Sequence, residues 1–358
     1  MLGVDLTACW RPRVGMVTVA VELTRALAAR GVPLLIFCSR QRVPGFEGHP
    51  AVISTHRHEL ANKLLWLPAV EADAGVDAML YPYWPPPPRR RRNAPPALTF
   101  VHDLAFRIRP DEVPWQQRLY LGSLLPGALR KSAAVLVPSM TTRDDVVREF
   151  PVPGLEDRVT VVGEGAPELP AGASLPGGLQ PGFVLAVGTV EPRKNYDRLL
   201  EAYRAVRRRV GDAPPLVIAG RVGWNVDGLP ERLRAEPGVV HLAEVDDAAL
   251  GSLYEHAGVL AFPSLYEGFG LPLLEAMTFG VPAVIGRAGA LPELAGGAAL
   301  EVDPEDIGAL ASALERALTD ETLRTQLSER GRRRAAEFSW DAAAARVEDV
   351  LGKLTPPR

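Results

Sequence analysis

Short apolar runs alternate along this chain with longer stretches in which apolar positions recur every three or four residues. In the first half the runs are 2–6, 33–38, 78–81, 97–102, 134–138 and 158–162. Brief runs of this kind, apolar on both faces of the pleat, predict strands covered on both sides. Between them, 17–30 carries Val21, Leu23 and Leu27 at helical spacing and meets a stop signal at Gly31, and 116–131 has a similar period. Ser139, followed by Thr141, Thr142, Arg143, Asp144 and Asp145, predicts a capped helix start. Strand and helix alternating on this scale predict a parallel sheet covered by helices.

The alternation breaks from 165 to 182, where Pro and Gly dominate and no core could form, so a linker is expected at 166–182. It restarts with strands expected at 183–190, 216–219, 239–245, 259–263 and 283–285, and helices at 196–210, 248–257 and 271–279. From 304 onward the pattern is helical throughout. The chain has 358 residues, too many for one ordinary core. Two α/β lobes are therefore expected. Open parallel sheets bind ligands outside the carboxyl ends of their strands, which puts the expected site in the cleft between the lobes.

Composition narrows this only a little. With 47% hydrophobic and 23% charged residues, disorder is excluded as the main state. The net charge of −3 conceals a split, +4 over residues 1–165 and −7 over the rest. A basic first half suits an anionic acceptor or a membrane surface, or is ordinary solvated surface. Residues 85–92 read PPPPRRRR, a stiff extended piece beside a dense positive patch. It suits contact with lipid head groups or a phosphorylated acceptor, or else is a solvated loop. Cys9 and Cys38 are too few for a disulfide framework or a four-ligand zinc site, and their apolar surroundings make them small core residues.

That cysteine usage fits a reducing cytosol. The N-terminus reaches Asp5 too soon for a signal peptide, and no apolar run approaches the roughly 18 residues needed to span a bilayer. The expected location is the cytoplasm, with any membrane contact peripheral, at the inner face. Nucleic-acid binding has neither a motif nor a positive net charge behind it.

Chemistry concentrates in three segments. The first is PSLYEGFGLPLLEAM, 263–277, which follows an apolar strand and opens a helix. Gly268 and Gly270 permit close backbone approach and positive φ, and Pro272 suits the first helical turn. The N–H groups there attract an anion or a hydroxyl-rich ligand. Glu267 precedes the helix and Glu275 lies about a turn inside it. A carboxylate near a helix start is usually only a favourable dipole contact. Two flanking one turn suit vicinal hydroxyls, because each can accept two hydrogen bonds.

The second is VGTVEPRKNY, 187–196, between a strand and a helix. Arg193 and Lys194 would oppose the dipole of that helix, which predicts that they face an anion, a diphosphate being the obvious one, rather than bulk solvent. The third is FVHDL, 100–104, at a strand end, where His102 could donate to a sugar hydroxyl or shuttle protons, or be structural.

The segment EGFGLPLLE, with Glu267 and Glu275 eight residues apart, resembles the E-x7-E signature of the group 1 retaining glycosyltransferases. VHDLAF, PSMTTRDDV, GTVEPRKNYDRLLEAY, LVIAGRVGWN, LPEL and FSWDAAA agree in order and spacing, across essentially the whole chain.

The resemblance implies the GT-B fold, two Rossmann-like domains whose parallel sheets face a cleft, with the C-terminal helix crossing back to the first domain. It implies an acceptor-side domain at 1–165 plus about 339–358 and a donor-binding domain at 183–338. It implies that Arg193 and Lys194 hold the donor diphosphate, that Glu275 binds the ribose, and that Glu267 and His102 meet the transferred sugar. The backbone of Phe269, Gly270 and Leu271 would help bind the donor. Gly188 belongs to that donor set, and Gly15, in the first strand–helix loop, would let the backbone approach the phosphates.

Relatives commonly read Gly-Ile-Gly-Arg-Tyr at that first loop. This chain has Gly15-Met16-Val17-Thr18-Val19, which leaves the acceptor-side and part of the phosphate contact open.

No Asp-x-Asp occurs anywhere, so the expected enzyme needs no metal and no cofactor. It would move a hexose with retention from a nucleotide-diphosphate sugar, GDP-mannose before UDP- or dTDP-sugars, to a glycan, lipid-linked or small-molecule acceptor. Polysaccharide biosynthesis is the setting that the resemblance implies. A nucleotide-sugar epimerase and a catalytically silent sugar-nucleotide-binding protein are the alternatives. Product from donor alone would mark the first, and absence of donor hydrolysis the second.

Overall fold

The computed structural model describes residues 1–9, 15–56, 58–83 and 85–354. The chain divides into two compact units, one of residues 1–107, 115–165 and 338 onward, the other of 108–114 and 166–337.

The first unit is built on β1 (Leu2–Asp5), β2 (Leu34–Ser39), β3 (Ala51–Ser54), β4 (Ala78–Tyr81), β5 (Ala97–Phe100), β6 (Ala134–Val137) and β7 (Val159–Val161). They form one parallel sheet in the order β3-β2-β1-β4-β5-β6-β7. Leu2 stands opposite both Leu34 and Ala78, so β1 is the strand from which the order runs outward in both directions. The main helices of this unit are α1 (Gly15–Ala29), α2 (Trp115–Lys131) and α3 (Met140–Glu149). Ser139 caps α3 as expected, its hydroxyl accepting from Thr142 N at 3.0 Å.

The second unit carries β8 (Val184–Val187), β9 (Leu216–Ala219), β10 (Val239–Leu242), β11 (Val259–Phe262), β12 (Ala283–Gly286) and β13 (Leu300–Val302). These are also parallel, in the order β10-β9-β8-β11-β12-β13. That is the third-second-first-fourth-fifth-sixth order of a Rossmann sheet, and its switch point falls between β8 and β11. Its helices are α4 (Tyr196–Val210), α5 (Asp247–His256), α6 (Leu271–Phe279), α7 (Ile307–Thr319) and α8 (Glu321–Ala335). Leu199, Tyr203 and Val206 of α4 and Leu310 and Leu314 of α7 pack on Val184, Ile218 and Ala261 of the sheet. The chain then returns to the first unit as α9 (Trp340–Leu354), where Asp341 and Glu348 take Arg30 at 2.9 and 3.0 Å.

Two strands were not expected, β3 and β13. β3 exposes Ile53, and β13 is only three residues long with Glu301 at its centre. Also unexpected is the helical stretch from Glu59 to Asp73, with a π-helical turn at Asn62–Trp66. It places Lys63 in a buried ion pair with Asp5 at the end of β1, 2.7 Å, and puts Glu71 under Tyr81 and Arg90. Tyr81 donates its hydroxyl to Glu71, and Arg90 Nε lies 2.7 Å from the same carboxylate.

The Pro-Arg run is thus partly consumed by the fold. Pro85, Pro86 and Pro87 are buried, Arg90 also donates to the Pro95 carbonyl at 2.6 Å, and Arg91 pairs with Asp73 at 2.8 Å. Arg89 and Arg92 are exposed.

The stretch read as a linker runs along the second unit. Gly251 of α5 lies so close to Pro170 that a Cβ would come within 2.0 Å of its carbonyl oxygen. Ser252 donates to Ala173 O at 2.8 Å, and Gly172 N donates to Glu255 at 2.9 Å. Bonds from its backbone to the Ser252 and Glu255 side chains hold this Pro- and Gly-rich segment there. Cys9 and Cys38 are both buried. Among the described residues no helix is long and apolar enough to cross a membrane.

Candidate active site

The candidate site is assembled in the second unit from the segments that leave β8 and β11, on either side of the switch point. After β8 the chain passes through Gly188 at φ 136°, and a Cβ there would stand 3.1 Å from Lys194 Cε. Pro192–Lys194 forms a single 3-10 turn. Asn195 follows in the left-handed region, φ 63°, and α4 begins only at Tyr196.

Arg193 and Lys194 therefore stand immediately before the N-cap of α4, as expected, but on a turn of their own. The left-handed residue separates their turn from α4. Asparagine tolerates this backbone better than most residues. Here its buried side chain also donates to Pro263 O at 3.1 Å and Pro304 O at 2.6 Å, tying the turn to the segments that follow β11 and β13. Leu265 N donates to Arg193 O at 2.8 Å and closes the same junction.

The loop after β11 brings Glu267 onto the two cations. Lys194 Nζ stands 2.6 Å from Glu267 Oε1 and Arg193 Nη1 2.7 Å from Oε2. Arg193 also donates to Tyr266 O at 2.8 Å and, through Nη2, to Glu191 at 2.7 Å. Lys194 Nζ lies 4.7 Å from the centre of the Phe262 ring. Burial by itself would raise the Glu267 carboxyl, but Arg193 and Lys194 outweigh it and hold the group at about 2. The formal charges of Glu191, Arg193, Lys194 and Glu267 cancel. Gly289, at φ 56°, backs the loop, where a Cβ would fall 2.3 Å from Glu267 O.

Phe269 is buried, Gly270 adopts φ 117° with Leu291 Cδ2 2.7 Å from where a Cβ would be, and Leu271 opens α6. Glu275, buried in that helix, accepts from the Tyr254 hydroxyl at 2.7 Å. The structure thus brings Gly188, Arg193, Lys194 and Glu267 together, and places Phe269, Gly270, Leu271 and Glu275 on the next turn and helix of the same unit. Sequence reasoning missed Glu191, Asn195 and Tyr254. The first two stood in the EPRKN run; Tyr254 carried no local signal.

His102 belongs to the first unit, two residues beyond β5. Its Nε2 lies 2.7 Å from Pro82 O, so the neutral ring carries its proton on Nε2 and presents Nδ1 as an acceptor. Burial lowers its pKa to about 4, against the opposing pull of the Pro82 carbonyl and Asp103. The neutral ring held in this way offers Nδ1 as an acceptor. Asp103 caps the next turn through Ala105 N, 2.9 Å.

Gly15 requires a correction. It is the first residue of α1 rather than a loop residue, it is exposed, and a Cβ on it would meet nothing within 4 Å among the described residues. Val17, Thr18 and Val19 are buried in α1, which explains why apolar residues stand there. Residues 10–14 of the preceding loop lie outside the described residues. Among the described residues no group of three His, Cys, Asp or Glu side chains could hold a metal ion.

Comparison with known proteins agrees with this geometry. Residues 176–334 match the family described as "Glycosyl transferases group 1", and residues 14–167 match "Glycosyltransferase Family 4". The chain is 35% identical over 259 residues to the O-antigen chain mannosyltransferase B of Escherichia coli, covering 68% of this chain and 67% of that protein. It is 38% identical over 179 residues to the MMP alpha-(1->4)-mannosyltransferase of Mycolicibacterium hassiacum, covering 48% of this chain and 43% of the relative. In fold it is similar to WaaG, a glycosyltransferase involved in lipopolysaccharide biosynthesis, with a TM-score of 0.75 at 18% identity over the full length of both chains.

Proposed function

The chain belongs to the group 1 glycosyltransferases, with the GT-B fold, and on that premise we propose that it moves a hexose from a nucleotide-diphosphate sugar, with retention and without a metal, to a glycan, lipid-linked or small-molecule acceptor. The observation that carries the reading is the convergence of Arg193 and Lys194 on one buried carboxylate beside the switch point of the second sheet. Open α/β sheets bind their ligands at such points.

Negative charge develops on the departing diphosphate as the glycosidic bond breaks, and preorganised cations stabilise it. Arg193 supplies a planar fork and Lys194 a compact charge, both fixed before the donor arrives. Their presence, and the lack of an Asp-x-Asp, support a route without a metal. Glu267 would accept from hydroxyls of the transferred sugar, and Glu275 from those of the ribose. Gly188 and the Phe269, Gly270 and Leu271 backbone would allow close approach of the donor. His102, neutral, would act toward the sugar through Nδ1 as an acceptor.

GDP-mannose is the favoured donor, because both curated relatives described above are named mannosyltransferases. A thermal-shift panel of GDP, UDP and dTDP tests the base. A nucleotide at 100 times its dissociation constant stabilises by about 2.7 kcal/mol, so one should stand clear of the others. Lys194→Ala should lower donor turnover at least about tenfold, and unchanged turnover removes Lys194 from the mechanism.

A further inference from the structure

Tyr254 is buried on α5, and the structure gives it two contacts with a single face of α6. Its hydroxyl donates to Glu275 Oε2 at 2.7 Å, and its ring stacks on Phe279, centroids 5.8 Å apart and planes 20° from parallel. Glu275 and Phe279 are four residues apart and so lie one above the other on the helix. One side chain therefore fixes both the helix face and the carboxylate standing on it. Burial, and then the neighbouring carboxylate, hold the Tyr254 phenol well above its ordinary range, so the hydroxyl stays a donor.

The helix bearing Tyr254 is itself held from residues 170–173, by the Gly251–Pro170 packing and by the bonds of Ser252 and Glu255. This gives the Pro- and Gly-rich stretch a structural task. A carboxylate can grip two vicinal hydroxyls only if its plane is set beforehand. A hydrogen bond to one oxygen from a ring that cannot move sets that plane.

We propose that Tyr254 is a positioning residue that orients the Glu275 carboxylate for vicinal hydroxyls, and so makes the site prefer a ribonucleotide over its deoxy counterpart. The proposal rests on the reading of Glu275 as the ribose-binding residue.

The test uses the whole chain and calorimetric titration. The probes are GDP or UDP, whichever the wild type binds more tightly, and the 2′,3′-dideoxy form of the same nucleotide. The wild type should prefer the ribonucleotide about tenfold or more. Tyr254→Phe keeps the ring and its stacking, and should reduce that preference about three- to tenfold. Binding of the dideoxy form should be unchanged, which a general loosening of the fold would not leave intact. In turnover, KM for the donor should rise while kcat stays level.

Tyr254→Met, which fills the space without a donor, bears on the same ratio should the first variant not fold. Loss of the preference in Glu275→Gln but not in the Tyr254 variants overturns the proposal and leaves the reading of Glu275 standing. A preference that survives Glu275→Gln overturns both.

Discussion

Lys194 and Glu267 are 73 residues apart in the chain, yet the ammonium stands 2.6 Å from one carboxylate oxygen while Arg193 occupies the other. The Glu267 carboxyl consequently sits at about 2 in the folded protein instead of 4.5. A folded value below the unfolded one contributes stability that is complete above about pH 4.5 and is lost as the pH falls toward 2. The difference in denaturant stability between wild type and Glu267→Gln should be roughly 3 kcal/mol at pH 6 to 7. It should narrow steadily between about pH 4.5 and pH 3. A gap that stays constant over this range would falsify the ion-pair account.

Asn195 should discriminate between two small replacements. Asn195→Ala loses both carbonyl contacts and places a Cβ in the left-handed region, for about 2–4 kcal/mol of destabilisation. Asn195→Gly loses the contacts alone and should be about 1 kcal/mol more stable than the alanine variant. Equal stability of the two, measured by urea unfolding, would mean that the left-handed backbone at this turn is not what limits the replacement.

His102 should remain neutral where free histidine is half charged. Its folded pKa of about 4 lies below the usual 6.5, so the folded form binds fewer protons between those values and stability falls as the pH drops through them. Nitrogen-15 NMR should show the Nε2–H tautomer at pH 6. A ring that titrates near 6.5 contradicts the burial described for it.

Two glycines should behave in opposite ways. Gly289→Ala would force a Cβ to within 2.3 Å of Glu267 O at a positive φ, so the loop must move. Nucleotide-diphosphate affinity should fall at least about tenfold, along with thermal stability. Gly15→Ala meets no described residue at the start of α1 and should leave affinity within about twofold and stability unchanged or up to ~1 kcal/mol higher. A large loss of donor affinity in Gly15→Ala would instead support the close-approach role that the resemblance implies.

Strands buried on both faces, such as β1, β8 and β11, are the most legible in the sequence, because such a strand is apolar almost without interruption, although the partly exposed β7 and β10 were legible too. β3 and β13, each with partly exposed residues, have no such obligation. The glycines and acids of 263–277 were legible because turn geometry and charge are local properties. The two carbonyls held by Asn195 and Tyr254 beneath Glu275 depend on elements apart in the chain, and no periodicity encodes them; Glu191 holding Arg193 is a contact two residues away that only the fold of the turn reveals. Gly15 reads as a loop residue in the sequence because a glycine after a strand looks the same whether it ends a loop or begins a helix.

The arginine run shows how a count of charges along the chain misjudges what a partner meets. Arg90 is folded inward onto Glu71, and Arg91 is matched by Asp73. A polyanion arriving at this surface would find two isolated guanidinium groups, Arg89 and Arg92, spaced by neutralised neighbours. Attraction there should have the steepness with ionic strength of a divalent patch, half of what the letters RRRR suggest.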